Sequence, residues 1–398
     1  MDERTRSYLE GRFRDHYRRH PPGLPPGAVD REWGFIPWTE GPGTTMVRHR
    51  SLVELGNVGE FLARRHPRHV YFSAGRYDDP GVGQMGRKGW RGSDLVFDLD
   101  ADHLPGVDAD DRYGEMLAAC KEALLRLLDL LERDFGVSDL TVVFSGGRGY
   151  HVHVRDDDVH ELDREGRREV VDYVRGRAEF ETLLARETVA GVGRETPAAK
   201  RSLRTDGGWS RRVHERLRAA VEDLRERDAE SAKRRLRERD GVGEKKADQI
   251  YRAATERYEE VRAGNVDLAP GFLEFARAVT EETFTAESAP IDEPVTTDLR
   301  RLIRLPGSLH GGSGLAVRRI PRADLAAFDP LVDAVPETFT DAEVEIEVTE
   351  TPAVAPGTAG EVRLDGSSFT IDEGRQYVPE YVGVFLACRG RAEIVAQG

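Results

Sequence analysis

The chain has 398 residues, enough for two domains or one large domain with an insertion, and a formal net charge of −14. Two cysteines, Cys120 and Cys388, exclude a disulfide scaffold and a zinc site built from cysteine alone. Of 59 basic side chains only six are lysine, and a surface of Asp and Glu with few lysines fits a halophile's cytosol.

The first residues, M-D-E-R-T-R-S, hold no apolar signal region, and no apolar run reaches 18 residues, so a soluble, cytoplasmic protein without a membrane partner is expected. The salt adaptation leaves net charge silent about nucleic acid; a local arginine cluster would have to speak for it. Residues 1–20 read as a charged helix with Tyr8, Leu9, Phe13 and Tyr17 near helical spacing, broken by P-P-G-L-P-P-G at 21–27. An aromatic segment follows, then a helix over 51–65 and a strand over 69–77. D-L-V-F-D-L-D-A-D-H at 94–103 reads as a strand, and 113–135 as an amphipathic helix whose stripe takes in Met116, Leu117, Cys120, Leu124 and Leu131. Residues 140–154 read as strand, glycine turn, strand.

From about 157 to 282 the texture becomes Arg/Glu-rich helix with few apolar anchors, as in a helical insertion. Within it G-V-G-E-K-K-A-D-Q-I at 241–250 resembles a helix-hairpin-helix turn, which can offer backbone N–H groups to a DNA phosphate; the bland reading is a helix-breaking turn. Residues 335–365 suggest strand and loop, and the C-terminal segment closes with a helix. The expected organisation is a core over 1–156 and 285–398 around a helical subdomain at 157–284.

Three clusters can carry chemistry. Asp98 and Asp100 lie two apart in an apolar strand, so both carboxylates project from one face, and such pairs hold divalent cations. In S-G-G-R-G-Y-H the small residues let backbone N–H groups approach an anion, while Ser145, Arg148 and His151 add donors. No Gly-Lys-Ser/Thr follows, so the turn is not a Walker A loop. His151 and His153 share a strand face and could ligate a metal together, although a further ligand is missing nearby. The third cluster holds Asp292, Asp298, Arg300, Arg301 and Arg304, with His310 in a Gly/Ser turn. Carboxylates for metal beside Arg, His and Ser for phosphate make up the inventory of a nucleotidyl transferase that works by positioning and electrostatics. For each cluster the bland alternative is a solvated charged face or a plain turn.

In order, R-E-W-G-F, M-V-R-H, V-Y-F-S-A-G-R-Y, K-G-W-R-G-S-D-L-V-F-D-L-D-A-D-H, F-S-G-G-R-G-Y-H-V-H-V, I-D-E-P-V-T-T-D-L-R-R-L-I-R-L-P-G-S-L-H-G and P-E-Y-V-G-V-F-L-A-C-R-G-R-A-E span nearly the whole chain. Together they resemble the small, catalytic subunit family of archaeal and eukaryotic DNA primases, in a haloarchaeal version. The resemblance implies an α/β (α+β) primase-polymerase core around a mixed sheet, with a helical subdomain. It implies template-directed synthesis of short primers from nucleoside triphosphates on single-stranded DNA, with Mg²⁺ or Mn²⁺, and a large subunit as partner. Asp98, Asp100 and Asp292 match the family's metal-binding aspartates, with Asp298 the alternative third. Ser145, Arg148, His151, Arg304 and His310 match positions that contact the incoming triphosphate.

Two departures stand out. Gly312 occupies a loop position where many relatives have lysine, so Arg318 or Arg319 is expected to substitute, or binding there is weaker. Residues 104–125 hold only Cys120 where relatives carry a Cys/His knuckle, so no structural zinc is expected. The competing readings are a metal-dependent nuclease or phosphohydrolase using the same aspartates, and a non-catalytic DNA-binding module built on 241–250.

Overall fold

The computed structural model describes residues 1–39, 45–107, 112–189, 198–352 and 360–397. It divides into a unit of Met1–Leu125, Val137–Val171 and Pro290–Gly398, and a unit of Arg126–Gly136 and Asp172–Ala289. The second unit differs in its bounds from the insertion expected at 157–284, because the end of a long helix joins it while residues 157–171 stay with the first.

The chain enters through helix Glu3–Arg19, capped by Asp2, whose carboxylate accepts from the Thr5 N–H. Leu9, Phe13 and Tyr17 are its buried stripe. After the Pro/Gly break come β1 (Arg31–Ile36), β2 (Val47–Arg50), β3 (His69–Tyr77), β4 (Trp90–Ser93) and β5 (Leu95–Asp100). The helix expected over 51–65 is two short ones, Leu52–Leu55 and Val58–Arg65, because Gly56 at φ 71° ends the first. The Leu-rich helix Tyr113–Arg133 leads to β6 (Leu140–Phe144) and β7 (Gly149–Val154). In the second unit β8 (Leu184–Val189) and β9 (Ala198–Leu203) form a hairpin. The chain then supplies β10 (Leu302–Arg304), β11 (Arg318–Ile320), β12 (Glu343–Val348), a hairpin of β13 (Gly360–Leu364) and β14 (Ser367–Ile371), and β15 (Gly374–Pro379). It ends on β16 (Ala392–Gln397), not on helix Glu380–Cys388. β16 pairs with β12, which thus has a neighbour on both edges.

Two sheets frame the site. The first runs β10-β3-β1-β2 with β4 also on β3; the second runs β11-β6-β7-β5. Every described pairing is antiparallel, where a mixed sheet was expected, and the short turn at 145–148 returns β7 directly alongside β6. Strand alternation decides what β5 offers: Leu95, Phe97 and Leu99 are fully buried on one face, and Cys120 Sγ donates to the Leu99 carbonyl at 3.4 Å. Cys120 is therefore a core residue.

Asp94, just before β5, ties the sheets together. Arg31 of β1 grips it with two bonds of 2.8 and 2.9 Å while donating to the carbonyls of Ser73 and Ala74 on β3. Arg155, just past β7, adds a bond of 3.0 Å from Nε. All three charged side chains are buried. A buried carboxylate with so many donors is expensive to disrupt.

The second unit corrects the expectation of few anchors. Val213, Leu217, Val221 and Leu224 recur at helical spacing, so one sparse stripe per helix suffices, and they join Ile250, Phe272 and Phe275 in one buried cluster. Arg212 binds Asp134 and Asp129 at 2.7 Å and Glu287 at 3.0 Å. Residues 241–243 form a turn between helices Ala229–Arg237 and Glu244–Glu256. Lys246, in the first turn of the second of these helices, is engaged by the Gly241 carbonyl at 2.9 Å and Glu274 at 2.6 Å.

Candidate active site

The register of β5 against β7 sets Asp98 opposite His151 and Asp100 opposite Gly149. Position 149 admits only glycine: a Cβ there would lie 1.8 Å from the Leu99 carbonyl oxygen. His151 Nε2 sits 3.4 Å from Asp98 Oδ1. Its imidazole is buried and held near a pKa of about 3, first by burial and then by Arg304 and Arg301, so it acts as a neutral group.

The turn between β6 and β7 is closed by the Ser145 N–H donating to the Gly149 carbonyl at 2.9 Å. Gly146 has φ 77°, and a Cβ there would meet His310 Cβ at 2.7 Å. The glycines are thus required by the approach of the 310 loop as well as by the turn. That loop is built to hold His310. Its N–H donates to the Leu315 carbonyl at 2.9 Å, its Nδ1 is 3.1 Å from Ser313 Oγ, and Ser313 in turn donates to the Gly146 carbonyl. Burial, then Arg304 and His69, push the His310 imidazole well below its ordinary pKa. Arg304, at the end of β10, pairs with Tyr71 across to β3 and carries its guanidinium 5.8 Å from that ring's centroid. Its Nε is buried without a hydrogen-bond partner.

The chain returns at 290–297 to bring the third carboxylate. The Asp292 N–H donates to the Asp98 carbonyl at 2.9 Å, and helix Glu293–Thr297 starts there. Ala74, Val96, Val295 and Ile303 form the buried cluster that holds this helix and β10 over β5. Burial, Asp100 and Asp292 raise the Asp98 carboxyl to about 6, against the opposing pull of Arg304 and Arg301. Asp298 stands elsewhere. It is exposed, accepts from the Arg300 N–H at 2.9 Å, and acts on Tyr77 and Arg167 instead.

Arg148 lies on carboxylates: its Nε is 3.8 Å from Asp100 Oδ1, and it pairs closely with Asp102. Asp100, Ser145, Arg148, Arg304, His310 and Gly312 all line one open cleft of about 480 Å³. Asp98 and His151 lie deeper, along β5 and β7, with 21% and 6% of their side chains exposed. Arg318 and Arg319, expected to compensate for Gly312, do not line the cleft; Arg389 and Arg391 do, together with Tyr113. The arginine pair belongs to C-R-G-R at 388–391, directly before β16, which carries no local mark of a site in the sequence. Arg389 packs 4.6 Å from the Tyr113 ring centroid, and the Tyr113 hydroxyl donates to the Gly147 carbonyl at 2.5 Å, which ties the C-terminal segment to the glycine turn. His151 and His153 do not form a joint metal site: His153 instead stacks on Phe72. Among the described residues no three His, Cys, Asp or Glu side chains form a ready-made metal cluster.

Antiparallel sheets that bring Asp100, a glycine turn and Arg148, Arg304, Arg389 and Arg391 to one polar cleft, with Asp98 two residues back on β5, fit an enzyme of the nucleotidyl-transfer class. The sequence model of the DNA primase small subunit family matches residues 97–321. The chain is 61% identical over 396 residues to the DNA primase small subunit PriS of Haloarcula marismortui, covering 99% of each. It is 59% identical over 395 residues to PriS of Halobacterium salinarum, again covering 99% of each. To PriS of Methanococcoides burtonii it is 37% identical over 401 residues, with 99% of each covered. The chain belongs to the DNA primase small subunit family, and its function is that of a catalytic primase subunit in DNA replication. No helix among the described residues is long and apolar enough to cross a membrane.

Proposed function

We propose that the chain synthesises primers from nucleoside triphosphates on a single-stranded DNA template, with Asp98, Asp100 and Asp292 holding Mg²⁺ or Mn²⁺. The observation that carries this is the pressure on Asp98, whose carboxyl is raised to about 6 by burial and two neighbouring aspartates. Hard oxygen donors crowded this way fit a divalent cation, which would relieve their repulsion. When bound, the metal supplies activation of the attacking 3′-hydroxyl and charge neutralisation at the leaving pyrophosphate.

The remaining work falls to the chain's own groups. Arg304, with a buried and unpaired Nε, is poised to donate to phosphate oxygens. Arg148, which contacts Asp100 and Asp102, would be freed to donate to the triphosphate once Asp100 holds a metal ion. His151 and His310, both neutral, contribute ring hydrogen bonds rather than charge. The backbone of 145–149 positions the phosphates by shape. Arg389 and Arg391 take the place of the loop lysine that Gly312 lacks. A large subunit completes the enzyme.

A hydrolase working through the same aspartates leaves this anion-binding cluster without a task. Incubating the protein in molar KCl with single-stranded template, nucleotides and Mn²⁺ separates the readings. New strands support the proposal; a degraded template or mere retention of DNA contradicts it.

A further inference from the structure

A second cavity, of about 260 Å³, opens between the two sheets of the first unit. Its floor is His153, two residues along β7 from His151 and 1% exposed, stacked on Phe72 with ring centroids 5.9 Å apart and 11° between planes. Neither ring nitrogen of His153 has a hydrogen-bond partner, although both are buried. A neutral imidazole carries one donor and one acceptor, and burying either unpaired is costly.

The wall and rim are cationic. Arg155 lines the cavity while bound to Asp94 and to Thr141 Oγ1 at 2.9 Å. Arg319 of β11 lines the rim, exposed and without an ion pair among the described residues. Arg31, Arg76 and Arg155 share the single carboxylate of Asp94, so Arg319 leaves this corner of an acidic protein with surplus positive charge. Burial, then Arg155, His151, Arg31 and Arg319, keep His153 neutral, with its N–H free to donate. Leu24, Pro25 and Pro306 complete the lining with apolar surface.

We propose that this inter-sheet cavity is a second binding site, separate from the catalytic cleft, for a small phosphate-bearing anion. The phosphate oxygens lie between His153 and Arg319, and any organic portion packs on Leu24, Pro25 and Pro306. Free phosphate and a nucleoside monophosphate share this chemistry, and the rim offers apolar surface to the second. The inference is independent of which aspartates act in the cleft.

The test uses the full chain. Crystals soaked in sodium phosphate, and separately in AMP, are expected to show density between His153 and Arg319; extension of that density over Leu24 and Pro25 identifies the nucleotide as the preferred source. Arg319→Ala, at an exposed position, and His153→Phe, which keeps the stack on Phe72, are each expected to weaken this site about tenfold or more, as loss of a charge-assisted or buried hydrogen bond does. Arg319→Ala should leave primer synthesis unchanged. A cavity that stays empty while the catalytic cleft fills, one that takes chloride alone, or phosphate binding that neither variant alters overturns the proposal.

Discussion

The carboxyl of Asp98 costs the fold stability wherever it is ionised, and Asp98→Asn removes that cost. Burial and the charges of Asp100 and Asp292 raise it from 3.8 to about 6. Below pH 3.8 both native and unfolded chains hold the proton and the cost is absent. As pH rises towards 6 the unfolded chain releases its proton first, so stability falls, and above 6 the whole cost is present. A shift of this size corresponds to roughly 3 kcal/mol at about 1.4 kcal/mol per pH unit. With 21% of the side chain exposed, screening by water and concentrated salt reduces this to about 1–2 kcal/mol. Asparagine keeps the shape and a hydrogen-bonding partner for His151 but carries no charge. Denaturation in molar KCl is therefore expected to show Asp98→Asn more stable than the parent at pH 8, by a few degrees in Tm, and no gain at pH 4. The same variant should make no primers, since the crowded charge is the one that serves function. A loss of stability at pH 8, or an equal gain at both pH values, would refute the reasoning.

Asp94 should behave in the opposite sense. Burial works to raise its carboxyl, but Arg31, Arg155 and Arg76 hold it below the usual range, so its contribution is full above pH 3.8 and lost as pH falls through the lower native value. Asp94→Asn leaves buried guanidinium groups short of their counter-charge and is expected to cost about 3–5 kcal/mol in urea unfolding at neutral pH. Arg304→Ala should lower kcat/KM for nucleotide about 10- to 100-fold, the worth of a charge-assisted bond of roughly 1.5–3 kcal/mol, with unfolding midpoints nearly unchanged. Gly146→Ala combines a left-handed backbone penalty of about 1–2 kcal/mol with a Cβ 2.7 Å from His310. It is expected to weaken nucleotide binding more than it lowers Tm, read by titration and by thermal unfolding of the same sample.

The strand that carries Asp98 and Asp100 was legible because a short run of Leu, Val and Phe suits a buried strand, which sets carboxylates two apart on one face. The turn at 145–149 was legible for a similar reason: small residues flanked by apolar strands leave little but a tight return. What the sequence withheld depends on distant pairings. Between Asp292 and its alternative Asp298, it is one backbone bond, from the Asp292 N–H to the Asp98 carbonyl, that sets Asp292 beside β5. Six residues further along, the Asp298 side chain is exposed and accepts from the Arg300 N–H. Arg389 and Arg391 line the cleft from the turn between helix Glu380–Cys388 and β16, far in sequence from its other arginines. The second unit's core escaped notice because each helix exposes so much Arg and Glu that its single apolar stripe is diluted in composition.

Primer synthesis by Asp292→Asn and Asp298→Asn, measured side by side on a single-stranded template with Mn²⁺ in molar KCl, tests the proposed carboxylate triad most directly. Asp292→Asn is expected to make no primers, like Asp98→Asn, while Asp298→Asn, whose side chain still accepts from the Arg300 N–H, is expected to retain synthesis. Full activity in Asp292→Asn, with loss in Asp298→Asn, would contradict the proposed triad.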